Sequence, residues 1–323
     1  MVNVITKLAD FELTVSRLSG GMTNKTYLLT SRKDNWVLRV GGVGTSNFID
    51  RETEINNAKI ASEHDINVKL EWVRHIDGLQ LTRFVPSTPF SLITADNSIY
   101  KFCLVKIANL LKKLHTIEKP FENDVNIFEV NKNYLKKIKE EKPSILPCNF
   151  KLLTRFLKQT ESLFVKFDYN FVPCHNDTTP SNFLIVDENS VFAIDWEYSG
   201  NNDKLWDLVY FGIESNLNND DFKNFLESYF EDVTPEINTW VAVYRPLVCA
   251  CISLWAYYQI ANGATSCTIS EYHELANKYF DKTVNYLNND FTKKSLEILN
   301  KMLEGFYQGK NNSNNTRRFP RGF

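Results

Sequence analysis

The first third of the chain alternates apolar and polar positions in short runs, a period typical of β-strands. Glycine-containing or polar turns separate the runs, which predicts antiparallel neighbours. The predicted strands are Phe11–Ser16, Thr26–Thr30, Trp36–Val40, Val68–Trp72 and Leu79–Phe84. Between the third and fourth runs, apolar residues recur at helical spacing over Asn47–Glu63. This segment of the chain is therefore predicted to be a five-stranded sheet with one helix.

Beyond residue 86 the pattern changes to helical spacing. The stretch Pro86–Pro89 is predicted to be a linker, because proline fixes φ and removes a hydrogen-bond donor. A short strand is predicted at Val191–Ile194. The predicted helices are Ile99–His115, Lys132–Lys142, Lys204–Glu214, Asp220–Phe230, Ile237–Ala261, Ser270–Leu287 and Lys294–Phe306. Together these patterns predict an α+β protein.

Composition excludes several classes of function. The 323 residues carry a formal net charge of −2, so bulk electrostatics do not predict nucleic-acid binding or an anionic membrane partner. The longest apolar stretch, Leu247–Tyr258, is too short to span about 30 Å of hydrocarbon. Six scattered cysteines without C-x-x-C spacing favour reduced thiols. The N-terminal residues lack the apolar core of a signal peptide, so we expect a cytoplasmic protein.

The strongest chemical signal is the pattern H-x-D-x-x-x-x-N from His175 to Asn182, followed by a hairpin that ends in Asp195. Phosphoryl transfer from ATP needs a group that orients the acceptor hydroxyl and hard oxygen ligands for Mg²⁺. Asp177 suits the first role, and Asn182 and Asp195 suit the second. The alternative is a solvated loop, because Asp, Asn, Thr and Ser favour turns. Two apolar strand runs flank the motif and favour the catalytic interpretation.

This motif, with Ile194–Tyr198 and the string Gly20–Tyr27, resembles the choline/ethanolamine kinases of the aminoglycoside phosphotransferase superfamily. The resemblance extends in order from about Ser19 to Gln259. It implies a two-lobed, protein kinase-like fold that binds ATP and Mg²⁺. The small N-terminal sheet lobe would comprise residues 1–86 and bind nucleotide. The larger, mainly helical lobe would comprise residues 87–310 and bind the acceptor, and residues 311–323 would form a disordered tail.

For the nucleotide, the turn with Gly20, Gly21, Thr23 and Asn24 would let backbone N–H groups approach phosphate oxygens. Two glycines between strands also suit an ordinary turn. The sequence contains neither a P-loop nor a Rossmann glycine motif. Arg39 lies where protein kinases place a phosphate-binding lysine.

Glu54 is the natural ion-pair partner of Arg39. Its neighbours Arg51 and Glu52 could take its role, and a pair of ordinary surface charges is the simpler alternative.

For the acceptor, a quaternary ammonium has no N–H to donate, so aromatic faces and a carboxylate must bind it. The resemblance assigns Tyr198, Trp255 and Glu214 to this task, with Glu197 and Asp177 in the same site. Core packing is the alternative for each aromatic residue. Ile252 stands where many choline kinases carry a second tryptophan. Tyr258 or Trp206 could complete the aromatic cage. Because the second tryptophan is missing, ethanolamine is also a candidate acceptor.

The sequence thus predicts an ATP-dependent kinase that phosphorylates a small amino alcohol, choline first. Asp177 would be the catalytic base, with Mg²⁺ held by Asn182 and Asp195. Ethanolamine, thiamine and an aminoglycoside are alternative acceptors. A pseudokinase that serves only as a binding module is the alternative of a different class. No nucleic-acid partner and no membrane insertion are expected.

Overall fold

The computed structural model describes residues 12–18, 24–42, 49–168, 171–187, 190–308 and 319–320. The chain forms two compact units. The first contains residues 1–124, 172–201 and 217–229, and the second contains residues 125–171, 202–216 and 230–323. These units group residues by packing. The lobe boundary at residue 86 remains a prediction, and the proposed tail lies outside the described residues except for 319–320.

A five-stranded sheet opens the first unit, as the alternating pattern predicts. Its strands are β1 (Thr14–Leu18), β2 (Asn24–Thr30), β3 (Asn35–Gly41), β4 (Leu70–Arg74) and β5 (Leu79–Arg83). They pair antiparallel in the order β1-β2-β3-β5-β4. Leu29, Trp36 and Leu81 pack together as its apolar core. The register places Arg39 of β3 between Thr26 of β2 and Gln80 of β5.

Helix α1 (Arg51–Glu63) follows the third strand. The Asp50 side chain caps it by accepting hydrogen bonds from the backbone N–H groups of Glu52 and Thr53. Its buried face includes Ile55, Ala58 and Ile60 at helical spacing. The helix begins at Arg51, four residues after the predicted start at Asn47.

The rest of the first unit carries the catalytic-loop segment. It comprises β6 (Thr88–Pro89), α2 (Tyr100–His115), β8 (Val172–Cys174), β9 (Phe183–Ile185), β10 (Val191–Ala193) and α6 (Asn219–Phe230), with β11 (Gly200–Asn202) beside β8. The predicted linker is partly ordered in a sheet, because Thr88 pairs with Ile185 of β9. Proline is tolerated there because β6 is an edge strand.

The second unit is mainly helical. It comprises α3 (Ile127–Glu141), α4 (Lys151–Phe164), α5 (Lys204–Glu214), α7 (Pro235–Ala261), α8 (Ile269–Asn288) and α9 (Asp290–Gln308), with a short parallel pair of β7 (Phe167–Asp168) and β12 (Phe319–Pro320). Its core joins Leu254 and Tyr257 of α7 to Tyr272, Ala276 and Phe280 of α8. The α+β class is confirmed.

Helix α7 is long and apolar. In the described part of the chain it is the one helix with the length and hydropathy to cross a bilayer. Of its most apolar window, 83% is buried inside the structure, which is typical of a core helix. The predicted apolar stretch Leu247–Tyr258 lies within it.

The six cysteines are all free thiols. Cys103, Cys174, Cys249 and Cys251 are buried. Burial raises the pKa of Cys249 and of Cys251 to about 12, so neither is a thiolate near neutrality. Four of the six cysteines thus lie in the interior.

Candidate active site

The H-x-D-x-x-x-x-N motif forms the loop between β8 and β9, and the β9–β10 hairpin leads to Asp195. The two hairpin strands pair antiparallel, with Phe183 opposite Ala193. One step beyond this pair, the Ile194 N–H donates to the carbonyl oxygen of Asn182 at 2.9 Å. The hairpin therefore brings Asn182 next to Asp195, although 12 positions separate them in sequence.

His175 supports this loop through both ring nitrogens. Its Nδ1 accepts from the backbone N–H of Asp177 at 3.3 Å, so the ring proton lies on Nε2. Nε2 then donates to the carbonyl oxygen of Ile194 at 2.9 Å. With His175 fully buried, the imidazole ties the catalytic loop to the strand before Asp195. His175 therefore hydrogen-bonds backbone groups of both Asp177 and Ile194.

Asp177 presents a carboxylate oriented by two neighbours. The hydroxyl of Thr179 donates to its Oδ1 at 2.6 Å. The Asn182 amide donates to its Oδ2 at 3.2 Å and to its backbone oxygen at 3.0 Å. These contacts restrict the rotamer of Asp177, as a general base requires.

Two residues of this segment have left-handed backbone conformations. Asn176 has φ 64° and Asp195 has φ 70°. Asn and Asp tolerate this region better than other non-glycine residues, although it still costs free energy. The Asn176 amide donates to the carbonyl oxygens of Tyr198 and Gly200, both at 3.1 Å, which stabilises the bend. Backbone strain of this kind is common at functional sites.

Arg39 is the centre of an ion-pair cluster in the same unit. It donates through Nη1 to Glu54, and through Nη2 to Asp195 and to Glu197, the last at 3.2 Å. Burial lowers the pKa of Arg39, but the three carboxylates raise it by more, so the net shift is upward and the guanidinium stays charged. The predicted Arg39–Glu54 ion pair is confirmed.

Three further side chains hold the glutamates of this cluster. Arg51 Nη1 lies 2.6 Å from Glu54 Oε2, and Gln80 donates to Glu54 Oε1 at 2.9 Å. Asn24 donates to Glu197 Oε2 at 2.8 Å. Both glutamate side chains are therefore buried with hydrogen-bond donors, as buried carboxylates must be.

The charges of this cluster fit a divalent cation. Two guanidinium groups face three carboxylates, which leaves one formal negative charge. Asp195 is the most exposed of the three, with 20% of its side chain accessible. The Asn182 amide nitrogen is used on Asp177, so its side-chain oxygen is the atom suited to a metal. Carboxylate and amide oxygens are the ligands that Mg²⁺ prefers.

The predicted acceptor residues divide between the two units. Glu197 and the half-buried Tyr198 follow Asp195 in the first unit. Glu197 contacts Asn24 and both arginines, and its role in acceptor binding remains a prediction.

Glu214 and Trp255 belong to the second unit. The phenol of Tyr279 donates to Glu214. Burial and the Glu214 carboxylate raise the pKa of Tyr279 above its ordinary range, which keeps it a donor. Trp255 is half-buried and meets Tyr272 edge to face, with ring centroids 6.0 Å apart.

Gly20, Gly21 and Thr23 lie outside the described residues, and their nucleotide role remains a prediction. The contacts of Gln80 with Glu54 and of Tyr279 with Glu214 were not predicted from the sequence. Arg51 was predicted only as a possible substitute for Glu54. Gln80 had no distinct signal, because a polar residue between Leu79 and Leu81 fits the ordinary alternation of a half-buried strand.

The chain is similar in sequence to several known proteins. A family model described as choline/ethanolamine kinase matches residues 15–282. Protein LicA of Haemophilus influenzae is 32% identical over 213 residues, which is 65% of this chain and 61% of that protein. The chain thus matches under two thirds of the length of this relative.

Two solved structures share the fold. Choline kinase LicA from Streptococcus pneumoniae has a TM-score of 0.74 at 26% identity, covering 88% of this chain and 99% of that one. A structure of LicA in complex with AMP has a TM-score of 0.72 at 26% identity, covering 88% and 96%. The predicted kinase-like fold is confirmed.

Proposed function

The chain belongs to the choline/ethanolamine kinase family, whose members transfer phosphate to an alcohol, and from this membership and its site we propose that it phosphorylates the hydroxyl of choline with ATP. One observation carries the proposal. Asn182 contacts Asp177 through its side chain, and its backbone oxygen accepts a hydrogen bond from Ile194, the residue before Asp195. These groups supply the base and the metal ligands that phosphoryl transfer needs.

In this proposal Asp177 acts on the acceptor. Its carboxylate orients the hydroxyl and takes the proton late, as the new oxygen–phosphorus bond forms. Thr179 and Asn182 keep the carboxylate in one rotamer, so little reorganisation is needed in the transition state. His175 contributes by holding the backbone of Asp177 and of Ile194, without exchanging a proton.

Asn182 and Asp195 are the residues that would hold Mg²⁺. When bound, the ion supplies positive charge to the β- and γ-phosphate oxygens. The left-handed backbone at Asp195 and the hairpin bond to Asn182 orient these ligands before the nucleotide arrives.

Arg39 is proposed to bind the phosphate tail, oriented by Glu54. A guanidinium suits phosphate because its fork of donors matches two oxygens. Gly20, Gly21, Thr23 and Asn24 are proposed to bind the phosphate oxygens through backbone N–H groups. The relative that is named as a complex with AMP supports an adenine nucleotide as the donor.

For the acceptor, we retain Tyr198, Glu197, Glu214 and Trp255 as proposed contacts. The name of one relative favours choline, since the LicA structure from Streptococcus pneumoniae is described as a choline kinase. Ile252 on α7 keeps ethanolamine as the second candidate, because an ammonium with N–H groups depends less on an aromatic cage. We propose the cytoplasm as the location.

An acceptor screen tests this function. Purified protein with MgATP is assayed for ADP release with choline, ethanolamine, thiamine or kanamycin at equal concentration. Choline is expected to give a kcat/KM about tenfold above ethanolamine, the scale of one good cation–π contact. A larger response to kanamycin would make the protein an aminoglycoside kinase. Nucleotide binding without transfer to any alcohol would make it a pseudokinase.

Substitution of Trp255 tests the aromatic contact. Trp255→Ala is expected to raise the KM for choline about tenfold and to leave the KM for ATP within about twofold, because only acceptor binding loses a ring face. Trp255→Phe is the matched control, since it retains an aromatic face, and should lie much nearer the unaltered protein. Equal effects of Trp255→Ala on both substrates would remove Trp255 from the acceptor site.

A further inference from the structure

Arg51 occupies an unusual position for a cation. It is the first residue of α1, where the helix dipole and the free N–H groups favour negative charge. Its side chain is nevertheless buried, with 5% of its surface exposed. Both the helix N-terminus and burial disfavour a positive charge at this position. Tertiary contacts must therefore stabilise the Arg51 guanidinium.

Those contacts are the two buried glutamates of the Arg39 cluster. Arg51 Nη1 lies 2.6 Å from Glu54 Oε2 and 3.6 Å from Glu197 Oε2. Arg39 uses the other oxygen of Glu54 and the same oxygen of Glu197. The two arginines therefore share the two glutamates, and each carboxylate has two cationic partners.

The backbone leaves space for the Arg51 side chain at two glycines. A Cβ added at Gly78 would lie 2.5 Å from Arg51 Cδ, and one at Gly41 would lie 3.1 Å from Arg51 Nη2. Gly78 also has φ +69°, a conformation that favours glycine. We call this space, bordered by Gly41 and Gly78, the arginine slot. The end of β3 at Gly41 and the β4–β5 turn at Gly78 therefore both contact the Arg51 side chain.

We propose that Arg51, seated in the arginine slot, is a positioning residue for nucleotide binding that acts through Arg39. The inference rests on the proposed function, in which Arg39 binds the phosphate tail. Arg51 neutralises one oxygen of Glu54 and part of the charge on Glu197. Without it, two buried carboxylates compete for Arg39 alone and hold its guanidinium away from the phosphates. Nucleotide binding then weakens more than acceptor binding, because Arg39 is the phosphate ligand and Glu197 keeps Asn24 and Arg39 as partners.

The charge of Arg51 is tested by a matched pair of variants. Arg51→Met keeps an unbranched apolar stem without the charge, and Arg51→Lys keeps the charge. MgATP affinity is measured by calorimetry without acceptor, and KM and kcat are measured with choline. Arg51→Met is expected to weaken MgATP about tenfold, the scale of one lost charge-assisted hydrogen bond. Arg51→Lys should fall within about threefold of the unaltered protein. In either variant the KM for choline should change much less than the MgATP affinity.

The slot itself is tested by a pair of glycine variants with equal backbone strain. Gly78→Ala forces the Arg51 stem to move, whereas Gly263→Ala has a similar φ of +70° and nothing within 4 Å of its new Cβ. Gly78→Ala is therefore expected to weaken MgATP about fivefold or more, and Gly263→Ala to leave it unchanged. In an Arg51→Ala background, adding Gly78→Ala should cause no further loss, because the clashing atoms are gone.

Thermal unfolding of each variant shows that it is folded at the assay temperature. Unchanged MgATP affinity in folded Arg51→Met would overturn the inference. Equal losses in Gly78→Ala and Gly263→Ala would also overturn it, since strain alone would then explain both. Failure of the unaltered protein to bind MgATP would overturn the proposed function and the inference together. MgATP binding without transfer to choline would overturn the function alone.

Discussion

Asp177→Asn is expected to lower the turnover number at least about a hundredfold, the scale of general-base catalysis, while MgATP binding survives. The asparagine is nearly isosteric, and its one amide oxygen can still accept a hydrogen bond from either Thr179 or Asn182. It cannot accept the hydroxyl proton of the acceptor. Steady-state ADP release with choline gives kcat, and calorimetry gives nucleotide affinity.

Asp187→Asn is the control for this substitution. Asp187 is exposed in the turn of the β9–β10 hairpin, close in sequence to the same loop, and undergoes the same chemical change. Its turnover number should match that of the unaltered protein. If Asp177→Asn retained full turnover, Asp177 would have no part in the chemistry, and another group would have to orient the acceptor.

Asp195→Asn is expected to have the second large effect, a loss of turnover of about a hundredfold or more with a higher Mg²⁺ requirement. The amide retains one oxygen but no charge, so it binds the cation less strongly. Asparagine also tolerates the φ of 70° at this position, which alanine would not, so strain is held nearly constant. Initial rates are measured across a range of Mg²⁺ concentrations at saturating ATP.

Asp195 also pairs with Arg39, so two explanations must be separated. Asn182→Ala is the companion variant, because Asn182 has no contact with Arg39 among its described hydrogen bonds. Both variants should raise the Mg²⁺ requirement if both residues bind the ion. A loss of activity in Asp195→Asn at unchanged Mg²⁺ dependence would assign Asp195 to the ion-pair cluster instead of the metal.

The pattern of apolar residues was sufficient for most of the elements. The sheet strands and the helices at 99–115 and 204–214 lie where their spacing predicts them, within a few residues. No prediction covered α4 (Lys151–Phe164), although Leu153, Phe156 and Leu163 recur at helical spacing and are buried. The signal for that helix is present in the sequence. The β6–β9 pairing was not predictable. Strand β6 has only two residues and one of them is proline, so it shows no alternation of apolar and polar positions.

The catalytic motif was also accessible from sequence because its members are local. Asp177 and Asn182 are five residues apart, and a hairpin of ordinary length returns the chain to Asp195. Pairing of the two hairpin strands then places the backbone of Asp195 one residue beyond the Ile194–Asn182 hydrogen bond. The ion pair of Arg39 with Glu54 follows similarly from a strand and the helix after it.

By itself the sequence determined the α+β class, the order of the elements and the spacing of Asp177, Asn182 and Asp195, since each depends on neighbours along the chain. Long-range packing pairs Glu197 with Arg39 and buries Arg51 beside both glutamates, and neither contact can be read from the sequence. The same is true of the space that Gly41 and Gly78 leave for Arg51. Buried charges take whichever partners packing places within reach, because unpaired burial is costly. Those partners here come from segments up to about 160 residues apart, and no local pattern specifies that distance.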